Sequence, residues 1–213
     1  MAEPVALVVG LGNPGPRYAD TRHNAGFWLV DRLAAQHRAV FRRASRFHGD
    51  VVEMDLGHRL WLLKPETFMN RSGQAVAALA GFYRYPPGQV LVVHDDLDLP
   101  PGTVRLKRGG GHGGHNGLRD ILAQLGSPDF LRLRLGVGHP GPGGDVVAYV
   151  LSRAPAEEQR LIDEAIDRAL GVLPRLVAGE VDRVMNVLNS RAAAAGAARP
   201  DSGGPSRPPA TDG

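Results

Sequence analysis

One histidine, one aspartate and three loop asparagines are the residues whose types and settings could do chemistry here. His23 lies in the stretch YADTRHN, residues 18–24, where a helix is due to begin beyond the C-terminal end of the apolar run VALVV, residues 5–9. Ligands gather at that end of the strands in open α/β folds. Asp95 closes a second apolar run, VLVVH at residues 90–94. A carboxylate there can accept an imidazole N–H and fix which ring nitrogen keeps its lone pair. Asn13 in GLGNPG, Asn70 in FMN and Asn116 in HNGL each bring an amide, with a donor and an acceptor for main-chain groups or for a developing oxyanion. The chain has no cysteine and no GxSxG elbow. Without a nucleophilic side chain, water must attack, and His23 would take its proton.

Each motif also has a plainer interpretation. Asn13 could serve only its turn, and Asn70 could cap the helix that follows Arg71-Ser72-Gly73. GLGNPG matches the dinucleotide pattern GxGxxG. However, Pro14, Gly15 and Pro16 interrupt the chain, and the helix begins only near Asn24, too late to offer its N-terminus to a pyrophosphate. Asp31 lies on that helix rather than at a strand end. A metal site could draw on His94, Asp95, Asp96 and His112 or His115, but the spacing matches no tight ligand signature. The run GGGHGGHNG, residues 109–117, opens directly onto a helix, whose backbone N–H groups could hold an anion or a carbonyl oxygen. Phe68 and Met69 would place apolar surface on a loop, suited to stacking or to a peptide.

These residues need a scaffold. The 213 residues suffice for one well-buried domain. Strands are predicted at 5–9, 50–55, 59–63 (with Gly57 at the turn), 90–94, 103–107, 132–138 and 146–150. Helices are predicted after Asn24, over 71–84, 116–124, from Pro155 along an apolar stripe to Leu173, and over 181–188. Pro174 should kink or end the long helix. Strands interleaved with helices predict an α/β fold: a single three-layer domain, its twisted, mixed central sheet flanked by helices on both sides. The domain is assigned to residues 1–190. Residues 191–213, rich in Ala, Gly, Pro and Ser without apolar periodicity, are expected to form a disordered tail.

Cysteine-free composition excludes disulfides and thiolate metal sites. No apolar run nears the ~20 residues of a membrane span, and no charged leader precedes an apolar stretch, so a soluble protein without a signal peptide is expected. The net charge of +3 says little about nucleic acid, whereas its distribution says more. Arg42, Arg43 and Arg46 form one basic run, Arg105, Lys107 and Arg108 a second, and Arg132 and Arg134 a third. Each could be a solvated face; beside Gly-rich segments they point to a phosphate-bearing partner.

Taken in order, GLGNPG, TRHNAG, FMN-x-SG, HDDLDLPPG and GGGHGGHNGL resemble bacterial peptidyl-tRNA hydrolase over about residues 5–190. The resemblance implies cleavage of the ester joining a peptide to the terminal ribose of tRNA, by a cytoplasmic monomer without metal or other cofactor. It implies His23 as base and Asp95 as its orienting partner. Asn13 would help discriminate blocked from free aminoacyl groups. Tyr18, Phe68, Asn70 and Asn116 would contact substrate, and Arg105, Lys107 and Arg134 would meet acceptor-stem phosphates near the 3′ end. Many members have Asp-Glu where this chain has Asp95-Asp96, and the tail has no counterpart. An RNA-binding relative without catalysis is the alternative.

Overall fold

Alternation along the central strands sends side chains to two separate cores. The computed structural model describes residues 3–196. From β1 (Leu7–Gly10), β5 (Val90–Asp96) and β7 (Leu131–Gly136), the residues Val8, Leu91, Val93, Leu131, Leu133 and Leu135 face one side of the sheet. They pack there against α1 (Ala25–Gln36), α5 (Ala156–Val177) and α6 (Val181–Gly196). Leu7, Val9, Val90 and Val92 face the other side, against α2 (Ser72–Tyr83) and α3 (Asn116–Leu125). Strands covered on both faces become nearly continuous apolar runs, which is how 5–9 and 90–94 appear in the sequence.

The sheet has seven strands in the order β2-β3-β4-β1-β5-β7-β6. The four central strands β4 (Arg59–Pro65), β1, β5 and β7 are parallel; β2 (Arg42–Ala44), β3 (Gly49–Asp55) and β6 (Val104–Arg108) run antiparallel to their neighbours. This is the expected three-layer α/β architecture with a mixed sheet. The chain leaves β1 towards β4 and returns through α2 to β5 on the other side of β1. The sheet order therefore reverses between β1 and β5, the place where open α/β sheets form a crevice.

Four expectations need correction. Residues 146–150 are not a strand but the short helix α4 (Val146–Val150). Their β-branched character suggested extended chain, yet the Asp145 carboxylate accepts the Ala148 N–H at 3.0 Å and starts a helical turn. Pro174 does not end α5, which continues to Val177. Leu176 and Val177 are buried beyond it, and the Val5 N–H donates to the Val177 carbonyl at 2.9 Å, so packing overrides the lost helix hydrogen bond. Residues 42–44, seen only as a basic run, form the edge strand β2. α6 runs past the expected 188 to Gly196. Of the tail expected over 191–213, residues 197–213 lie outside the described residues.

The outer edge of β6 meets α6. Asn189 accepts the Leu106 N–H at 3.2 Å and returns its own amide N–H to the Leu106 carbonyl at 3.1 Å.

Candidate active site

Close approach of α1 to the end of β1 brings the chemical groups together. A Cβ on Gly10 would stand 2.4 Å from the Gly26 carbonyl oxygen, and one on Gly26 would stand 2.4 Å from the Leu11 nitrogen and the Val93 oxygen. Only paired glycines allow helix and sheet to touch backbone to backbone. The 3-10 turn Arg22–Asn24, which leads into α1, is thereby held over the C-terminal end of β5.

There His23 Nδ1 donates to both oxygens of Asp95, at 2.9 and 3.0 Å. Asp95 is 2 % exposed and His23 8 %. Burial opposes charge on Asp95, but the imidazoles of His23 and His115 hold its carboxyl well below the usual carboxylate range. An ionised carboxylate only accepts, so His23 carries its proton on Nδ1 and keeps the Nε2 lone pair. Burial pushes the His23 imidazole down; the charge and hydrogen bond of Asp95 push it up by more, leaving its pKa raised.

Asp95 Oδ1 accepts a second imidazole N–H, from His115 Nε2 at 3.1 Å. His115 Nδ1 accepts the backbone N–H groups of Gly117 and Leu118 at 3.1 and 3.3 Å, so Nε2 must hold the proton. The helix-end donors expected to be open to an anion are thus already occupied, by the side chain that caps α3. His94 lies against His115, with ring centroids 5.0 Å apart, and donates Nδ1–H to the Asp95 carbonyl at 2.7 Å. Burial and the neighbouring His115 lower its pKa to about 3, so it is neutral at ordinary pH.

Among the described residues, His23, Asp95 and His115 are the group whose ligand atoms come within 4.8 Å of one another, as a metal would need; His94, Asp96 and His112 do not join it. The protonation pattern does not fit an ion. The His115 lone pair is committed to two amide groups, and both nitrogens facing Asp95 carry protons.

Asn13 is fixed from two directions. Asn24 accepts the Asn13 N–H at 2.8 Å and donates its amide to the Asn13 carbonyl at 3.0 Å. The Met69 N–H donates to Asn13 Oδ1 at 2.8 Å, and the side-chain NH2 of Asn13 has no hydrogen-bond partner among the described residues. Asn24, buried and next to His23, was not singled out from the sequence. Its signal was available: a second amide adjoining the base, in a turn with no other role for it. Replacing Asn24 with alanine is expected to strand two buried backbone groups, costing about 1–3 kcal/mol of stability each. With the loop loosened, kcat/KM should fall while the pH dependence of kcat stays as in the parent, measured by denaturant unfolding beside a pH series.

These observations lead to known proteins. The sequence model of the family described as peptidyl-tRNA hydrolase matches residues 7–196. The chain belongs to the peptidyl-tRNA hydrolase family. It is 58 % identical to a peptidyl-tRNA hydrolase of Methylococcus capsulatus over 185 residues, 87 % of this chain and 99 % of that protein. It is 57 % identical to that of Halorhodospira halophila, over 86 % of this chain and 95 % of the relative. The crystal structure of peptidyl-tRNA hydrolase from Acinetobacter baumannii superposes with a TM-score of 0.85 at 50 % identity, covering 87 % of this chain and 95 % of that one.

In this peptidyl-tRNA hydrolase family member the other expected residues fall into two groups around His23. On one side, a cleft of about 230 Å³ is lined by His23, His115, Asn116, Lys107 and Arg134, and by Val147 on α4. Asn116 opens α3 and accepts from Arg119 at 3.1 Å, and its NH2 has no hydrogen-bond partner among the described residues. Lys107 and Arg134 project with Arg105 and Arg132 from one face of the β6–β7 pair, as the registers Arg105↔Arg134 and Lys107↔Arg132 require. Arg134 is tied to Asp96 at 2.7 Å, and Arg132 is buried and holds the Gly110 and Gly111 carbonyls. Arg105 sits on that face but does not line the cleft. The run at 42–46 takes the plainer role: Arg43 pairs with Asp50 and Glu66, and Arg46 lies over Phe47 and Phe82.

On the other side, beside Asn13, stand Phe68, which is 60 % exposed, and Tyr18, their rings edge to face at 6.4 Å. Asn70 is exposed within the 3-10 turn Met69–Arg71 and does not cap α2. The N-terminal Gly73 N–H of α2 is taken instead by Asp120 of α3, at 2.7 Å.

Proposed function

We propose that the chain hydrolyses the ester between a peptide and the terminal ribose of peptidyl-tRNA, with His23 as general base and Asp95 as its orienting partner. The observation that carries this reading is His23 itself: Nδ1 bound to an ionised, buried Asp95, and Nε2 left free at the cleft in a member of this family. Nε2 takes a proton from water as the water oxygen attacks the ester carbonyl. Asp95 stabilises the imidazolium that forms. The NH2 groups of Asn13 and Asn116 are the donors available to the oxyanion, each worth about 3 kcal/mol. Collapse breaks the bond to the ribose oxygen, which regains the proton from Nε2.

Asn13, Asn70, Phe68 and Tyr18 suit the peptide, because amides read main-chain groups and rings cover variable side chains. Lys107, Arg134 and Arg105 suit the tRNA 3′ end and acceptor stem. The catalytic unit is residues 1–190, acting as a cytoplasmic monomer. Among the described residues no helix is long and apolar enough to cross a membrane.

The test is hydrolysis of N-acetylated against free aminoacyl-tRNA by the purified protein. Release from the acetylated substrate alone is expected; tRNA binding without ester cleavage would overturn the reading. Lys107 is exposed and makes no ion pair among the described residues, so Lys107→Ala should weaken tRNA binding and lower the slope of log KM against log salt by about 1. An unchanged slope would remove Lys107 from the phosphate contacts.

A further inference from the structure

Arg22 precedes the base and is almost fully buried, yet the chemistry proposed above does not use it. Its guanidinium gathers residues 149–153 and Glu158. Nη1 donates to Ser152 Oγ at 2.8 Å and to the carbonyls of Arg153, Tyr149 and Ser152 at 3.0, 3.3 and 3.4 Å. Nη2 pairs with Glu158 on α5 at 2.9 Å. The guanidinium carbon lies 4.1 Å over the Tyr149 ring, and the Arg22 backbone N–H donates to the Ser152 carbonyl at 3.1 Å. These acceptors lie in and just beyond the last turn of α4, where orphan carbonyls collect.

α4 is a wall of the cleft. Val146, Val147 and Val150 line it together with His23, and Val147 is 62 % exposed. The helix is held unequally. Its leading end follows residues 138–144, in which Gly138, Gly141 and Gly143 have positive φ, and Asp145 makes the one side-chain cap there. Its trailing end is held by Arg22, and the Tyr149 hydroxyl adds one bond to the Val137 carbonyl at 2.8 Å. A five-residue helix with a high proportion of exposed apolar surface has little stability of its own.

We propose that Arg22 is a positioning residue: it locks α4 to the turn that carries His23, so that the apolar wall meeting the substrate and the base are set by one side chain. A lysine cannot do this, because a single ammonium cannot fork between the α4 carbonyls and Glu158 or stack on Tyr149. The inference rests on the hydrolase reading, and the unmodified protein separates the two. If that protein fails to cleave N-acetyl-aminoacyl-tRNA, the hydrolase reading fails. If it cleaves and the variants below behave like it, only this inference fails.

The experiment compares the full chain with Arg22→Lys and Arg22→Met, and with Ser152→Ala/Glu158→Gln, which leaves Arg22 in place but weakens its hold. Steady-state kinetics on N-acetyl-aminoacyl-tRNA are followed beside amide hydrogen exchange over residues 146–152. KM is expected to rise about tenfold with a smaller fall in kcat, since a slight misplacement of a substrate wall costs that much or more. Exchange should quicken over 146–152 and not over α5. The acid limb of kcat should stay where it is, because the His23–Asp95 pair is untouched. A lower melting temperature with parent KM and parent exchange over 146–152 would make Arg22 merely structural and overturn the proposal. Should Arg22→Met not fold, Arg22→Lys and the Ser152/Glu158 variant give the same decision.

Discussion

His23→Ala is expected to cut kcat for N-acetyl-aminoacyl-tRNA by about 10²–10⁴, the usual worth of a positioned general base, or roughly 3–5 kcal/mol of barrier. The fold should survive. Removing the imidazole does not orphan the buried Asp95, because His115 still donates to Oδ1 at 3.1 Å. Binding should survive too, since the amides of Asn13 and Asn116 and the cations of Lys107 and Arg134 remain. The variant should therefore show near-parent KM, an intact melting transition and a collapsed turnover. Near-parent turnover would overturn the role of His23.

Asp95→Asn is expected to lose a comparable factor, about 10²–10⁴, by another route. An asparagine keeps the shape but turns one acceptor into a donor. His23 can then satisfy the new N–H only by reversing its tautomer, which puts the proton on Nε2 and removes the lone pair the water needs. The pH profile distinguishes this from a packing defect. In the parent, catalysis requires neutral imidazole, so kcat rises with pH through a His23 pKa raised above the ordinary 6.5. In the variant the charge and hydrogen bond that raise it are gone and burial, which lowers it, remains. The residual activity should therefore persist to lower pH than in the parent. An acid limb left in place would mean that Asp95 does not set the protonation of His23. The double variant should be little slower than either single one, as groups that act as a unit are strongly non-additive.

Much of this was legible in the residues. The apolar runs at 5–9 and 90–94 gave the two strands whose ends carry the site, and the ordered motifs put His23 and Asp95 there. Pattern failed where tertiary contacts overrode it. Val146, Val147 and Val150 favour a strand by type, but Asp145 and Arg22 secure a helix from its two ends. Pro174 should stop a helix but is carried through by the buried residues after it. His115 appeared only as a metal candidate, because nothing local to GGGHGGHNG reveals that its two nitrogens face a helix end and a carboxylate 20 positions earlier. Arg132 was legible only as part of a basic run, because the Gly110 and Gly111 carbonyls that it holds are brought close only by the fold.

The contact between Asn189 and Leu106 has a consequence beyond local stability. β6 is the last strand of the sheet, and its open side would present a row of unpaired groups on which another chain could lengthen the sheet. Asn189 fills both hydrogen-bonding positions of Leu106, as a further strand would. At the opposite margin β2 is three residues long and carries charged Arg42 and Arg43. Each margin of the sheet is closed to templated growth, one by an amide that imitates a neighbouring strand and the other by brevity and charge. Asn189→Ala should leave turnover intact yet make the protein prone to concentration-dependent aggregation.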